Sequence, residues 1–248
     1  MEEKTEALTV CVQKGGQADA ARSLAGKTGA QLSDRPGEGL SVIYDASGVT
    51  LSGYGLSYRG DFEEMLHRVT NGRTQHEMLV HIAKTKKPSP RAVDATAGMG
   101  EDSLLLAAAG YEVTMFERNA VVAALLKDAM RRAKKHPVLK EIVPRMRLIE
   151  GDSTALMDTL PFTPELVYLD PMFPERQKTG LVNKRLQLIQ KLEQPCCAEK
   201  ELLDAAMRLS PERIIIKRPL KGELLAGKEV DYSVKGKAIR YDCIVLKK

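Results

Sequence analysis

RAVDATAGMGEDSLLLAAAGYEVTMFE, residues Arg91 to Glu117, decides how the rest of this chain is read. A short run ends at Val93 and Asp94. A turn follows, Ala97-Gly98-Met99-Gly100, and then two acids, Glu101 and Asp102. Ser103 to Ala109 is an apolar stretch of helical character that stops at Gly110. Glu112 to Phe116 reads as a second strand and ends on Glu117. Strand, glycine turn, helix, strand and terminal acid is the layout of a nucleotide-binding βαβ unit.

Gly98 and Gly100 reach backbone angles closed to other residues and put no side chain in a ligand's way. The turn delivers a ligand to a helix N-terminus, where unpaired N–H groups favour an anionic group. Glu117 lies 19 residues after Gly98, where a strand-end carboxylate accepts hydrogen bonds from both hydroxyls of a ribose. Two features argue against a dinucleotide. The third glycine of G-x-G-x-x-G is replaced by Ser103, and Glu101 and Asp102 crowd the pyrophosphate position. Two carboxylates repel a phosphate and attract an ammonium group. A ligand with a ribose and an amino-acid tail fits better, and S-adenosylmethionine is such a ligand.

Further along, Met146 to Glu150 reads as a third core strand, followed by Gly151-Asp152-Ser153-Thr154. Ligands of open α/β sheets sit off the carboxyl ends of the strands, which sets Ser153 and Thr154 near the adenine half of the ligand. Leu166 to Leu169 is a fourth strand and runs straight into Asp170-Pro171-Met172-Phe173-Pro174. That constellation suits a planar base with an exocyclic amine. Asp170 and the Pro171 carbonyl can accept the two amine hydrogens, and Phe173 can stack on the ring. Accepting those hydrogens draws the nitrogen lone pair out of conjugation and aims it at an electrophile. The next stretch, Glu175 to Lys191, carries Lys178, Lys184 and Arg185, candidates for RNA phosphates.

The remainder bounds the alternatives. The 248 residues suffice for one large α/β domain with a smaller companion. A net charge of +5 permits a polyanionic partner, while 4% aromatics and no Trp argue against a broad base-stacking platform. The four cysteines (Cys11, Cys196, Cys197, Cys243) form no CxxC, and His76 and His81 are five apart, so neither a disulfide framework nor a metal site is expected. MEEKTEALTV lacks a signal-peptide layout, and no apolar run reaches membrane length, so a cytoplasmic location without a membrane is expected. Residues 1–60 read as a small N-terminal α/β module and 61–248 as the catalytic domain. In the module, Leu8 to Val12 is a strand, Gln17 to Thr28 a helix, and Leu40–Tyr44 with Val49–Tyr54 a hairpin. Asn119 to Lys135 and Glu201 to Leu209 read as amphipathic helices, and Leu186 to Leu192 reads as helical. Arg213 to Lys217 is a buried-type strand, and Glu229–Val234 with Ala238–Leu246 an edge hairpin.

Together, Asp94-Ala-Thr-Ala-Gly-Met-Gly100, Glu117-Arg118-Asn119, Tyr168-Leu-Asp-Pro-Met-Phe-Pro174 and Lys217-Arg218-Pro219 resemble the bacterial small-subunit ribosomal RNA methyltransferase J family. The resemblance spans residues 90 to 220. It implies a class I methyltransferase (Rossmann-like) fold, a seven-stranded and mostly parallel sheet, and methylation of the exocyclic N2 of a guanine in 16S rRNA, free or in the 30S subunit. It also implies cofactor contacts at Glu101, Asp102, Glu117, Arg118, Ser153, Thr154 and Asp170. The family admits Arg where this chain has Glu101, so a backbone contact is the one that survives there. An N-methyltransferase acting on DNA adenine or a small molecule shares the amine-gripping motif. A non-catalytic RNA-binding relative and a nicotinamide oxidoreductase are the further alternatives.

Overall fold

The computed structural model describes residues 8–70, 72–171, 188–189, 192 and 198–246. Among them the elements are, in chain order, β1 (Thr9–Val12), α1 (Ala18–Thr28), β2 (Gln31–Ser33), β3 (Ser41–Asp45), β4 (Gly48–Gly53), β5 (Leu56–Tyr58), α2 (Leu66–Val69), α3 (Met78–Ala83), β6 (Arg91–Asp94), α4 (Glu101–Ala108), β7 (Glu112–Glu117), α5 (Ala120–Ala133), β8 (Met146–Glu150), α6 (Ser153–Leu156), β9 (Leu166–Leu169), α7 (Glu199–Arg208), β10 (Arg213–Pro219), β11 (Tyr232–Lys235) and β12 (Ile239–Val245). No helix of the described residues is long and apolar enough to cross a membrane.

The chain divides into two compact units. One is Met1–Asp61 with Asn119–Arg132 and Glu175–Gln194; the other is Phe62–Arg118 with Ala133–Pro174 and Pro195–Lys248. The first holds a five-stranded sheet in the order β2-β1-β3-β4-β5. Strand β1 runs parallel to both neighbours, and β3, β4 and β5 are antiparallel. Asp45 closes the β3–β4 hairpin by accepting from the N–H groups of Ser47 and Gly48, at 2.7 and 3.1 Å. Within this unit Asp128 of α5 is buried, and accepts from the Val49 N–H at 3.1 Å and from Arg131 and Arg132. Strands β2 and β5 escape a pattern reading because they have three residues each and no fully buried position, so no apolar alternation marks them.

The second unit is built on a seven-stranded sheet in the order β11-β12-β10-β9-β6-β7-β8. Strands β8, β7, β6, β9 and β10 are parallel, and β12 alone runs against its neighbours. The edge hairpin is the expected one, although β11 begins at Tyr232 rather than Glu229. Val93, Phe116, Val167, Leu169, Ile214 and Ile216 lie in one apolar cluster with Leu203 and Ala206 of α7. All four residues of β9 are buried, as a central parallel strand requires.

Helix α4 begins two residues earlier than its apolar run suggests. Gly100 sits at φ +74° just before it, so Glu101 and Asp102 form the first turn, where carboxylates meet the positive end of the helix dipole. At its other end Gly110, at φ +99°, lets the Tyr111 N–H return to the Leu106 carbonyl at 3.1 Å. The strand order reverses between β6 and β9. Chain leaving β6 carries the glycine turn, and chain leaving β9 carries Asp170-Pro171. The topology therefore brings the two informative motifs to one crevice.

Candidate active site

The glycine turn is held open. Gly98 has φ +52°, and a Cβ built there would meet no heavy atom within 4 Å. Its N–H donates to Glu117 Oε2 at 2.9 Å. Glu117 is buried at the end of β7, and its own carbonyl accepts from the Gly151 N–H at 2.9 Å. Next to that contact, Asp152 caps α6 by accepting from the Thr154 N–H at 2.8 Å and from its hydroxyl at 2.7 Å. Gly98, Glu117 and the Ser153-Thr154 turn are thus hydrogen-bonded into one rim. Ser153 is buried and Thr154 half-buried, while Glu101 and Arg118 are exposed.

Asp170 belongs to a second, charged group. Lys217, near the end of β10, sets its ammonium 2.8 Å from Asp102 Oδ2 and 2.9 Å from Asp170 Oδ2. The Tyr168 hydroxyl donates to the same Asp102 oxygen at 2.6 Å. Asp102 was expected to offer its carboxylate to a ligand's ammonium; that oxygen already carries an ammonium and a phenol from this chain. Asp170 keeps 34% of its side chain accessible, against 26% for Lys217 and 17% for Asp102, so of the three it is the one most open to a substrate. Burial raises the Asp170 carboxyl above the ordinary range, and Lys217 pulls it back. The two carboxylates overcome burial at Lys217 and push its ammonium upward, keeping it charged.

Beneath this group lies Asp94, fully buried at the end of β6. It accepts from the Ser103 hydroxyl at 2.6 Å and from the Thr96 N–H at 3.1 Å. Burial lifts its carboxyl to about 7, against the pull of those two donors. The Thr96 hydroxyl in turn accepts from the Asp170 N–H at 2.6 Å, and the Ala95 N–H donates to the Tyr168 carbonyl at 3.1 Å. Pro171 follows, buried. Phe173, Lys178, Lys184 and Arg185 lie outside the described residues, as does most of the Leu186–Leu192 segment.

The group that sequence reasoning passed over is Lys217, quoted only as part of a motif. Its signal was available: it directly follows Ile214-Ile215-Ile216, so it stands at the carboxyl end of a buried parallel strand, the position that singled out Asp170. A cleft of about 710 Å³ elsewhere in this unit, lined by Thr74, His76, His81, Lys84, Pro90 and Tyr111, holds none of these residues. Pro90 and Tyr111 precede β6 and β7, so that cleft opens at the opposite, amino ends of the strands.

These residues fit S-adenosylmethionine. Gly98 faces open space beside a buried strand-end carboxylate. Asp102, Lys217 and Asp170 together carry one net negative charge, which matches the one net positive charge of a sulfonium, an ammonium and a carboxylate. Among the described residues no group of three His, Cys, Asp or Glu is placed to hold a metal ion.

Residues 58–246 match the family model described as a SAM-dependent methyltransferase. A ribosomal RNA small subunit methyltransferase J from Pseudomonas aeruginosa strain LESB58 is 37% identical over 243 residues, covering 95% of this chain and 93% of its own. A protein of the same description from Hydrogenovibrio crunogenus is 40% identical over 161 residues, covering 64% of this chain and 58% of its own. The crystal structure of a SAM-dependent methyltransferase from Neisseria gonorrhoeae superposes with a TM-score of 0.74 at 29% identity, covering 96% of both chains. Family model, relatives and fold agree: the chain belongs to the ribosomal RNA small subunit methyltransferase J family of S-adenosylmethionine-dependent methyltransferases.

Proposed function

We propose that this protein methylates the exocyclic N2 of a guanine in 16S ribosomal RNA, in the cytoplasm, on the free RNA or the 30S subunit. The observation that carries the reading is the meeting of the glycine turn and the Asp170-Pro171 turn at the β6/β9 crevice, tied by the Asp170 N–H on Thr96.

S-adenosylmethionine supplies, when bound, a methyl group made electrophilic by its sulfonium. Gly98 leaves room for that cofactor, Glu117 receives its ribose hydroxyls, and Ser153 and Thr154 border its adenine. Glu101 contributes through its backbone, Asp102 borders the amino-acid tail, and Arg118 is a further cofactor contact beside Glu117. On the other side of the crevice Asp170 and the Pro171 carbonyl accept the two hydrogens of the guanine amine, and Phe173 stacks on the base. With the cofactor in place, the amine nitrogen held by Asp170 and Pro171 would take the methyl group and leave the sulfonium as a neutral thioether, and Asp170 would receive the proton that the amine releases. Burial, which raises the Asp170 carboxyl, makes it the better acceptor for that proton. Positioning supplies most of the rate, because the step needs no covalent intermediate. Lys178, Lys184 and Arg185 hold the flanking phosphates.

The test is transfer of labelled methyl groups to 30S subunits and to naked 16S rRNA from cells lacking this gene, with Asp170→Ala alongside. Label that digests to N2-methylguanosine and vanishes in the variant supports the reading. Absence of label in rRNA despite measurable cofactor binding overturns it.

A further inference from the structure

We propose that Lys217 is a positioning residue for methyl transfer: by bridging Asp102 and Asp170 it keeps Asp170 ionised and fixed as the acceptor of the substrate amine. The inference rests on the role given to Asp170 above.

Two carboxylates that share one cation in a half-buried crevice depend on it. Remove the cation, and like-charge repulsion with poor solvation forces one of them to hold a proton near neutral pH. The structure says which one. Asp102 retains the Tyr168 hydroxyl as a donor after Lys217 is gone. Asp170 loses its lysine donor, and its own backbone N–H is turned toward Thr96 rather than toward its carboxylate. Asp170 is therefore the carboxylate that protonates, and a protonated Asp170 donates where the amine needs an acceptor.

The other ionisable groups around the pair do not replace Lys217. Asp94 of β6 brings no positive charge, its carboxyl being lifted by burial to about 7, and Tyr168 of β9 and Tyr241 of β12 have hydroxyls that burial keeps neutral. Arg68 of α2 is engaged by Glu77 through two hydrogen bonds of 2.9 and 2.6 Å. Exposed Glu101 has the wrong sign.

The test is a pH titration of the carboxylate carbons of ¹³C-aspartate-labelled protein without cofactor, with Asp170 assigned from Asp170→Asn, next to the pH profile of kcat on the RNA substrate. In Lys217→Met the Asp170 midpoint is expected to rise by about one pH unit or more, and the acid limb of kcat to move with it. At neutral pH kcat falls more than the RNA KM rises. Lys217→Arg returns both towards wild type, because a guanidinium also bridges two carboxylates. Asp102→Asn removes the competing negative charge, and the Asp170 midpoint moves down. An Asp170 midpoint in Lys217→Met equal to that of wild type overturns the proposal. If that variant fails to fold, a midpoint that does not fall in Asp102→Asn overturns it instead. A wild-type protein that labels no RNA defeats the functional reading, while the carbon titration still decides whether Lys217 governs Asp170.

Discussion

Asp94→Asn should make this protein more stable in alkali and not in acid. Asp94 is 1% exposed, and burial is the main reason its carboxyl titrates at about 7 instead of 3.8. The folded pKa is thus the higher of the two, so the fold prefers the protonated form. The stability this residue contributes is complete below about pH 4 and is lost as pH rises through about 7. A shift of about 3 pH units at 1.36 kcal/mol each sets a ceiling near ~4 kcal/mol on the cost of ionising it in place. Asparagine never ionises and still offers an oxygen to the Thr96 N–H, but it bonds the Ser103 hydroxyl less well than a carboxylate does. About half the ceiling, ~2 kcal/mol, is the expected gain at about pH 9, or roughly 4–8 °C in melting temperature for a chain of this size. The assay is thermal unfolding without cofactor at about pH 5, 7 and 9. The variant should melt level with or below wild type at the lowest pH and above it at the highest. A variant equally destabilised at all three would show that Asp94 is ionised throughout and that the burial argument fails.

Three further outcomes are expected. Glu117→Ala removes the acceptor of the Gly98 N–H and should weaken S-adenosylmethionine binding by at least about tenfold in calorimetry, equivalent to ~1.4 kcal/mol; unchanged affinity would remove Glu117 from the ribose site. Gly98→Ala places a methyl in open space at φ +52°, so the fold should lose only about 1–2 kcal/mol while cofactor affinity falls by a larger factor; binding that survives would mean the open space is not the ligand's. Glu165 is pushed up by burial, but the Arg91 N–H at 2.6 Å and the Lys87 ammonium at 2.8 Å bring it to a net lowered pKa. Its contribution is therefore present above the ordinary glutamate range and lost as pH falls, so Glu165→Gln should lower the unfolding free energy at neutral pH by about 1 kcal/mol, read as a lower urea midpoint, and make no difference in acid.

The parts of this architecture written in local pattern could be read in advance. Gly98 and Gly100 need positive φ, Asp170-Pro171 interrupts a buried run, and the inner parallel strands β6, β7, β9 and β10 show as largely apolar stretches because both their faces are covered. What escaped is non-local. Lys217 meets Asp102 across 115 residues, and Tyr168 meets it across 66, so neither pairing leaves a trace in spacing. The amphipathic stripe of α5 announces a buried face without saying what covers it. Its Asp128 bonds to Val49, 79 residues back, in the unit formed by the N-terminal strands. Helix α4 started early because two acids that read as ligand groups are also good first-turn residues.

The Thr96 hydroxyl has a consequence for how variants of this family combine. It hangs from the glycine turn and accepts the Asp170 N–H from a turn 74 residues away, so the two loops share a single energetic unit. Thr96→Val should therefore blunt the effect of a second substitution at Asp170, and the effects of changes in the two loops should fail to sum. Drift at one motif is then felt as a constraint at the other. A transplant of either loop into a relative succeeds only when its partner travels with it.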